Sequence, residues 1–390
     1  MNSQSSRYQE EILIVDDTPA NLRLLSQMLT NQGYSVRAVT SGARALESVH
    51  ASIPSLILLD IRMPDMDGYE VCNELKDNER TRDIPVIFIS ALNEIEDKVK
   101  AFKLGGVDYI TKPFQLEEVL ARTETHLALR NLQKQLLDAI DKFERELQMA
   151  GKLQASFLPQ KLPVLPDWEL AAKLVPARET SGDFYDIFQF PDGRLGFFVA
   201  DVVDKGVEAA LFMALCWGLI RTYTTGYPEE LQQAFWEVNQ RLVTDTGGDK
   251  FVTVFYGVLD PQDGQFTYCN AGQSPGLLVK APEGDCVIEL GQTGPPLGII
   301  ENQTWERRVE KIDPGDMLVL HTDGITDAQN GEGRFFDIEG LLEVLLSNSG
   351  RTALEVQEDI LNSVSDFIED LQQFDDIALF VVIRRGLEHP

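Results

Sequence analysis

From Glu11 to about Thr125, short apolar runs alternate with amphipathic stretches: ILIVDD, a helical pattern around Leu22 to Leu29, SVRAV, a second helix, LILLD, a third, PVIFISA, a fourth, YITKP and a fifth. Strands and helices alternating in this way predict an α/β doubly wound domain, a parallel five-stranded sheet with helices on both faces. From His126 to Leu158 the period changes. Apolar residues step by three and four through Leu129, Leu132, Leu136, Ala139, Phe143, Ala150, Leu153 and Phe157, with Glu146 interrupting one position and no proline between Pro113 and Pro159. Sustained spacing of this kind predicts a coiled-coil helix, about 50 Å long at about 1.5 Å per residue. A parallel dimer would cover its apolar seam. After FLPQKLP, strand patterns dominate: WELAAKLVP, YDIFQF, LGFFVADVV, KFVTVFYGVLD, GQFTYCNAG, GLLVK, DMLVLHTDG and DDIALFVVI, with hairpin signals at PDGR and PQDG. Helices fit near 207–225, 228–245, 337–347 and 352–371. This pattern predicts an α+β sandwich of two antiparallel sheets flanked by helices. Three regions follow: 1–125, 126–158 and 159–390.

Charge narrows the functional classes. The chain has 34 Lys+Arg against 63 Asp+Glu, a formal net charge of −29, carried chiefly by 159–390. Nucleic-acid backbone and anionic membrane surfaces are excluded as partners, because both require clustered cations. Cys72, Cys216, Cys269 and Cys286 are far apart, as are the four histidines, so neither a zinc site nor a disulfide framework is supported. The N-terminus is polar and no run approaches the roughly 18 apolar residues of a membrane helix. A reducing, cytoplasmic setting is expected.

In a parallel α/β sheet, ligands sit at the carboxyl ends of the strands. The residues at those ends are Asp16 and Asp17, Asp60, Ser90 and Lys112. Three converging carboxylates repel one another, and Mg²⁺ suits such a site because it accepts a few carboxylates and keeps positions for water and phosphate oxygens. With DIRMPDMDG from Asp60, Ser90-Ala91 and the KPF at Lys112, residues 11–125 resemble a response-regulator receiver domain. The resemblance implies that Asp60 is the phosphoacceptor, with Asp16, Asp17, Asp60 and the Arg62 carbonyl holding Mg²⁺. Ser90 and Lys112 would contact phosphoryl oxygens, Tyr109 would be the switch aromatic, and a cis bond would precede Pro113. The partner would be a histidine kinase or phosphotransfer protein.

In the C-terminal half, acidic residues flank the ends of buried strands: Asp183 in SGDFYD, Asp201 in VADVVDKG, Asp323 in LHTDGITDA, and Asp375 and Asp376 in FDDIALF. Two oxygen-ligated divalent ions about 3.5–4 Å apart would offset such a group and activate water against phosphorus. The segments PARETSGDFYD, ADVVDKGVEAALFMA, NAGQSPGLL, TGPPLG, LHTDGITDAQN and DDIALFVV resemble the PPM-type, metal-dependent serine/threonine phosphatases of the bacterial sporulation and stress-response group. On that resemblance Asp201 bridges two Mn²⁺ or Mg²⁺ ions, the Val202 carbonyl ligates one, and Asp323 and Asp375 ligate the other. Asp375 is preferred to Asp376, since only the first of the pair must be a carboxylate. Asp183 would bond a metal-bound water and Arg178, five residues earlier, would grip the phosphate. Two departures stand out. Val203-Asp204-Lys205-Gly206 replaces Ser-Gly-His-Gly, and Asn270-Ala271-Gly272-Gln273-Ser274 replaces Asn-Ala-Gly-His-Asn. They leave the general acid open between Lys205 and a metal-bound water. His321 reads as a strand residue.

Together these features point to a two-component response regulator with a phosphoprotein phosphatase output. The family implies a phosphorylated STAS-domain anti-sigma-factor antagonist as substrate and a homodimer through the linker. The alternative is a phosphorylation-switched adaptor that binds a partner without turning it over.

Overall fold

The computed structural model describes residues 10–91, 95–281, 286–347, 350–369 and 371–386, with no side-chain description for 95–98. Contacts divide the chain into two units, Met1–Lys142 and Phe143–Pro390.

In the first unit, five strands form one parallel sheet: β1 (Glu11–Val15), β2 (Ser35–Val39), β3 (Leu56–Asp60), β4 (Val86–Ser90) and β5 (Asp108–Thr111), in the order β2-β1-β3-β4-β5. β3 and β4 are buried along their whole length, as strands covered on both faces should be. Helices α1 (Pro19–Thr30), α2 (Gly42–Ala51), α3 (Gly68–Asp77), α4 (Ile95–Lys103) and the first part of α5 (Leu116–Ala155) complete the unit. α1 opens on a proline, whose missing N–H costs nothing at that position. α3 opens on a capping box in which Asp67 and Glu70 satisfy each other's backbone N–H groups. One core, with Leu13, Leu59 and Phe88, lies on one face of the sheet, and a second, with Ile14, Leu58, Ile89, Val119 and Leu127, on the other. The order reverses between β1 and β3, so their carboxyl ends flank a crevice. The Lys112–Pro113 peptide is cis, as expected.

α5 is 40 residues long, about 60 Å at about 1.5 Å per residue. The fifth receiver helix and the expected linker are thus one continuous element, because no breaker separates them. Val119, Thr123 and Leu127 are buried, whereas Leu129, Leu132, Leu136 and Phe143 are exposed. The division between the two units falls inside this helix.

The second unit is a sandwich of two five-stranded sheets. One has the order β13-β10-β9-β8-β7, built from β7 (Phe184–Gln189), β8 (Leu195–Val202), β9 (Val252–Leu259), β10 (Gln265–Ala271) and β13 (Arg308–Lys311). The other has the order β12-β11-β14-β15-β6, built from β6 (Trp168–Val175), β11 (Gly276–Lys280), β12 (Cys286–Leu290), β14 (Met317–His321) and β15 (Ile377–Arg384). Between them lies an aromatic core in which Phe197 stacks on Phe266 and on Phe380, with centroids 5.4 and 4.9 Å apart. Helices α6 (Val207–Gly226) and α7 (Leu231–Thr246) cover the first sheet through Met213, Phe235 and Val238. Helices α8 (Asp323–Thr326), α9 (Asp337–Ser347) and α10 (Ala353–Ile368) accompany the second, with Leu341, Val356 and Ile360 in its outer core. The expected fold holds. β12 and β13, edge strands that are partly solvated, and the single turn α8 were not legible in the pattern. No described helix is long and apolar enough to cross a membrane.

Candidate functional sites

In the first unit, β1 and β3 deliver Asp16 and Asp60 to the crevice, and the segment after β5 delivers Lys112. Asp16 is fully buried and Asp60 nearly so, while Asp17 is exposed. Oxygens of these three carboxylates all lie within 4.8 Å of one another, the one such group of metal-binding side chains among the described residues. The Lys112 ammonium donates to Asp60 Oδ2 at 2.6 Å and Asp16 Oδ2 at 2.9 Å. Asn21, not anticipated from the sequence, donates to both Asp16 oxygens at 3.0 Å, and the Thr18 N–H to one of them at 2.8 Å. The Arg62 N–H reaches Asp60 Oδ1 at 3.4 Å. Burial, with Asp16 nearby, raises the Asp60 pKa against the opposing pull of Lys112. Burial acts to lower the Lys112 pKa, but its bonds to Asp60 and Asp16 leave it raised. Ser90 ends β4 and is buried. Tyr109 lies in β5 with Phe102 edge-on to its ring and the Arg122 guanidinium 5.3 Å from its centroid.

In the second unit, strand register assembles the acids. Phe184 pairs with Ala200, which sets Asp183 beside Asp201 at the end of the β7–β8 hairpin. His321 pairs with Leu379, which brings the residues after β14 and those before β15 together at the end of the other sheet. Thr322 joins the two sheets: its hydroxyl donates to Asp183 Oδ2 at 2.5 Å and accepts from the Ala378 N–H at 2.8 Å. A Cβ on Gly324 would lie 1.8 Å from the Asp376 carbonyl oxygen, so only glycine allows the turn bearing Asp323 to approach this closely. A Cβ on Gly182 would meet the Val202 carbonyl oxygen at 3.3 Å and Asp201 Oδ1 at 3.4 Å. Both atoms therefore border Gly182.

The charge balance here is poor. Burial above all, then Asp201, raises the Asp183 pKa well above its ordinary value. Burial, reinforced by Asp323, Asp375 and Asp376, raises Asp201 to about 7, while its interaction with Asp183 pulls the other way. Burial and then Asp375 raise Asp323. Such a donor set, all oxygen and short of protein cations, fits divalent metal ions.

Asp375 and Asp376 part company. Both Asp376 oxygens accept backbone N–H groups, from Ala177 and Gly182 at 2.7 Å each. Asp375 instead accepts from the Lys205 ammonium at 2.9 Å. That ammonium also donates to the Phe374 carbonyl at 3.2 Å and lies 4.2 Å from the Phe374 ring centroid. Arg178 is exposed on the loop that Asp376 secures. Gln273 accepts from Thr253 Oγ1 at 3.1 Å, and Thr253 Oγ1 also lies 3.3 Å from the Asp201 carbonyl. Buried His321 contacts the Thr322 carbonyl through Nδ1, and its pKa is lowered by burial, consistent with a neutral strand residue. Thr322 precedes Asp323 in the sequence, but nothing there signals its bond to Asp183, 139 residues away.

The sequence model described as stage II sporulation protein E matches residues 191–385, and that of the response regulator receiver domain matches 12–124. Protein IcfG of a Synechocystis species is 32% identical over 321 residues, 73% of this chain and 50% of that protein. Phosphoserine phosphatase RsbU of Bacillus subtilis is 27% identical over 265 residues, 67% of this chain and 75% of that protein. The chain thus spans half the length of IcfG, and 48% or less of several relatives matched over only about a third of the chain. The SiaA-PP2C domain of Pseudomonas aeruginosa superposes with a TM-score of 0.56 at 20% identity, over 64% of this chain and 99% of that one, a likeness of fold.

Proposed function

Because this chain belongs to the stage II sporulation protein E family and carries a response regulator receiver domain ahead of that region, we propose that phosphorylation of Asp60 controls a metal-dependent phosphoserine/phosphothreonine protein phosphatase. The observation that carries this reading is the placement of Asp183, Asp201, Asp323 and Asp375 at the ends of two sheets, where burial and neighbouring carboxylates raise the pKa values of Asp183, Asp201 and Asp323.

Asp201, the Val202 carbonyl, Asp323 and Asp375 would hold two divalent ions, Mn²⁺ or Mg²⁺. When bound, these supply charge that offsets the phosphate and makes water a competent nucleophile at neutral pH. Thr322 orients Asp183 toward the attacking water, and Arg178 grips the phosphate, a match of planar guanidinium to phosphate oxygens. Water adds to phosphorus as the ester bond to the serine or threonine oxygen breaks, giving orthophosphate and a free hydroxyl. The bond from Lys205 to Asp375 supports a charge-balancing role for that lysine over proton delivery.

In the receiver, Asp16, Asp17, Asp60 and the Arg62 carbonyl would hold Mg²⁺ while Asp60 accepts a phosphoryl group from a histidine kinase or phosphotransfer protein. Lys112, now on Asp60 itself, would turn to the phosphoryl oxygens with Ser90, and Tyr109 would repack. α5 would carry the change. Its exposed seam of Leu129, Leu132, Leu136 and Phe143 supports a homodimer. The substrate proposed is a phosphorylated STAS-domain anti-sigma-factor antagonist, and the setting cytoplasmic; neither nucleic acid nor membrane is a partner of so acidic a chain.

The test is hydrolysis of a phosphoserine STAS-domain protein with Mn²⁺, before and after charging Asp60 with acetyl phosphate. Charging should change the rate in the native chain and not in Leu136→Pro. Equal rates in the native chain would remove the control, and no hydrolysis in either state would leave the adaptor.

A further inference from the structure

In the last turn of α5, Gln154 is buried against the loop that carries Arg178 and Asp183, while Lys152, Leu153 and Ala155 face solvent. Gln154 is 7% exposed and commits its whole amide to that contact. Its Oε1 accepts from the Ser181 N–H at 3.1 Å, and its Nε2 donates to the Ser181 carbonyl at 3.0 Å and to the Ala210 carbonyl of α6 at 3.4 Å. A side chain that satisfies both backbone groups of one residue fixes that residue as a neighbouring strand would. Ser181 passes the constraint on. Its Oγ lies 3.0 Å from the Asp183 N–H and 3.1 Å from the Asp183 carbonyl, closing a tight ring around the catalytic aspartate.

Gly151, one turn earlier on α5, is independent support for the contact. A Cβ there would sit 1.9 Å from the Glu179 carbonyl oxygen, so helix and loop meet backbone to backbone. The segment 176–183 has no helix or strand of its own. Asp376 holds it from one side through Ala177 and Gly182, and Gln154 holds it at Ser181.

We propose that Gln154 is a positioning residue of the phosphatase reaction: it fixes the Ser181 peptide so that Asp183 and Arg178 are set for catalysis, and it makes that setting depend on the register of α5. This rests on the phosphatase reading. A helical turn that slides or rotates on the loop breaks both Ser181 bonds together, and a displacement of about 1 Å in a catalytic group can cost about 10²-fold in rate.

Gln154→Met in the full chain tests it, because methionine keeps the length and bulk of the side chain and removes its amide bonds. Aryl phosphate hydrolysis, its Mn²⁺ requirement and backbone hydrogen exchange are measured together. The expected result is a kcat at least about tenfold lower, with the Mn²⁺ concentration for half-maximal activity unchanged, since Asp201, Asp323 and Asp375 lie outside the loop. Exchange should quicken in peptides covering 176–185 and stay unchanged in β8 and β9. Gly151→Ala should reproduce this local pattern by pushing the loop away. Native kcat and native exchange in Gln154→Met would overturn the proposal, reducing Gln154 to packing, as would faster exchange spread through β8 and β9. If the native chain hydrolyses nothing, the phosphatase reading falls, while exchange still decides whether Gln154 holds the loop.

Discussion

The two carboxylate centres use the same chemical group and balance it in different ways. At the receiver crevice, Asp16 and Asp60 close directly on the Lys112 ammonium, Asn21 donates to Asp16, and only Asp17 is left to solvent. At the proposed phosphatase centre, the Lys205 ammonium pairs with Asp375, and Asp183, Asp201 and Asp323 have no ion pair among the described residues. Of the inner pair, Asp183 accepts a hydrogen bond from the Thr322 hydroxyl, and Asp201 faces the repulsion of its neighbouring carboxylates. The number of cations built into a site sets how far it depends on added ones. The receiver centre, three carboxylates against one ammonium, stays anionic but has that cation bonded between its two buried acids, whereas the proposed phosphatase centre is acidic at its buried pair until divalent ions or protons arrive.

That comparison can be broken in several ways. The largest expected effect separates the centres: Asp60→Asn should abolish phosphoryl uptake from acetyl phosphate and leave unstimulated aryl phosphate hydrolysis intact, as read by phosphoprotein gels and initial rates. Next is the pH dependence of stability without metal. A carboxyl that ionises near pH 7 in the folded chain, as at Asp201, and near 3.9 when unfolded keeps its extra proton in the folded state across that interval. Melting temperature in EDTA should therefore fall as pH rises from about 4 to about 7, and saturating Mn²⁺ should flatten the curve. Scanning calorimetry at a series of pH values checks this. Thr322→Val removes the bond that orients Asp183 and should lower kcat about tenfold, in line with about 1–3 kcal/mol for a buried partner left unpaired. The smallest effect is expected for Lys205→Met. With the competing ammonium gone, half-saturation by Mn²⁺ should move a few-fold lower, measured by metal titration of activity.

Much of this architecture was legible in the sequence because buried strands such as LILLD and LGFFVADV are nearly continuous apolar runs, and because the acids sit where those runs end. Elements without that contrast were not legible. β12 and β13 lie at sheet edges, where half-solvated positions carry mixed residues, and the change of period near residue 125 has no counterpart in α5, which nothing in the chain breaks there. At the sites, residue types were legible and partners were not. Asp375 and Asp376 look alike in sequence, yet one faces Lys205 and the other ties two backbone N–H groups. The bonds from Thr322 to Asp183 and from Gln154 to Ser181 join residues far apart in the chain, and only the folded register brings them together.

The central claim is that the aspartates at the ends of the two sheets form a metal-dependent hydrolytic centre. Its most direct test is Mn²⁺-dependent hydrolysis of a generic aryl phosphate by the native chain and by Asp201→Asn. The account predicts turnover that requires Mn²⁺ in the native chain and falls at least about 10²-fold in the variant. Hydrolysis retained in Asp201→Asn would contradict it.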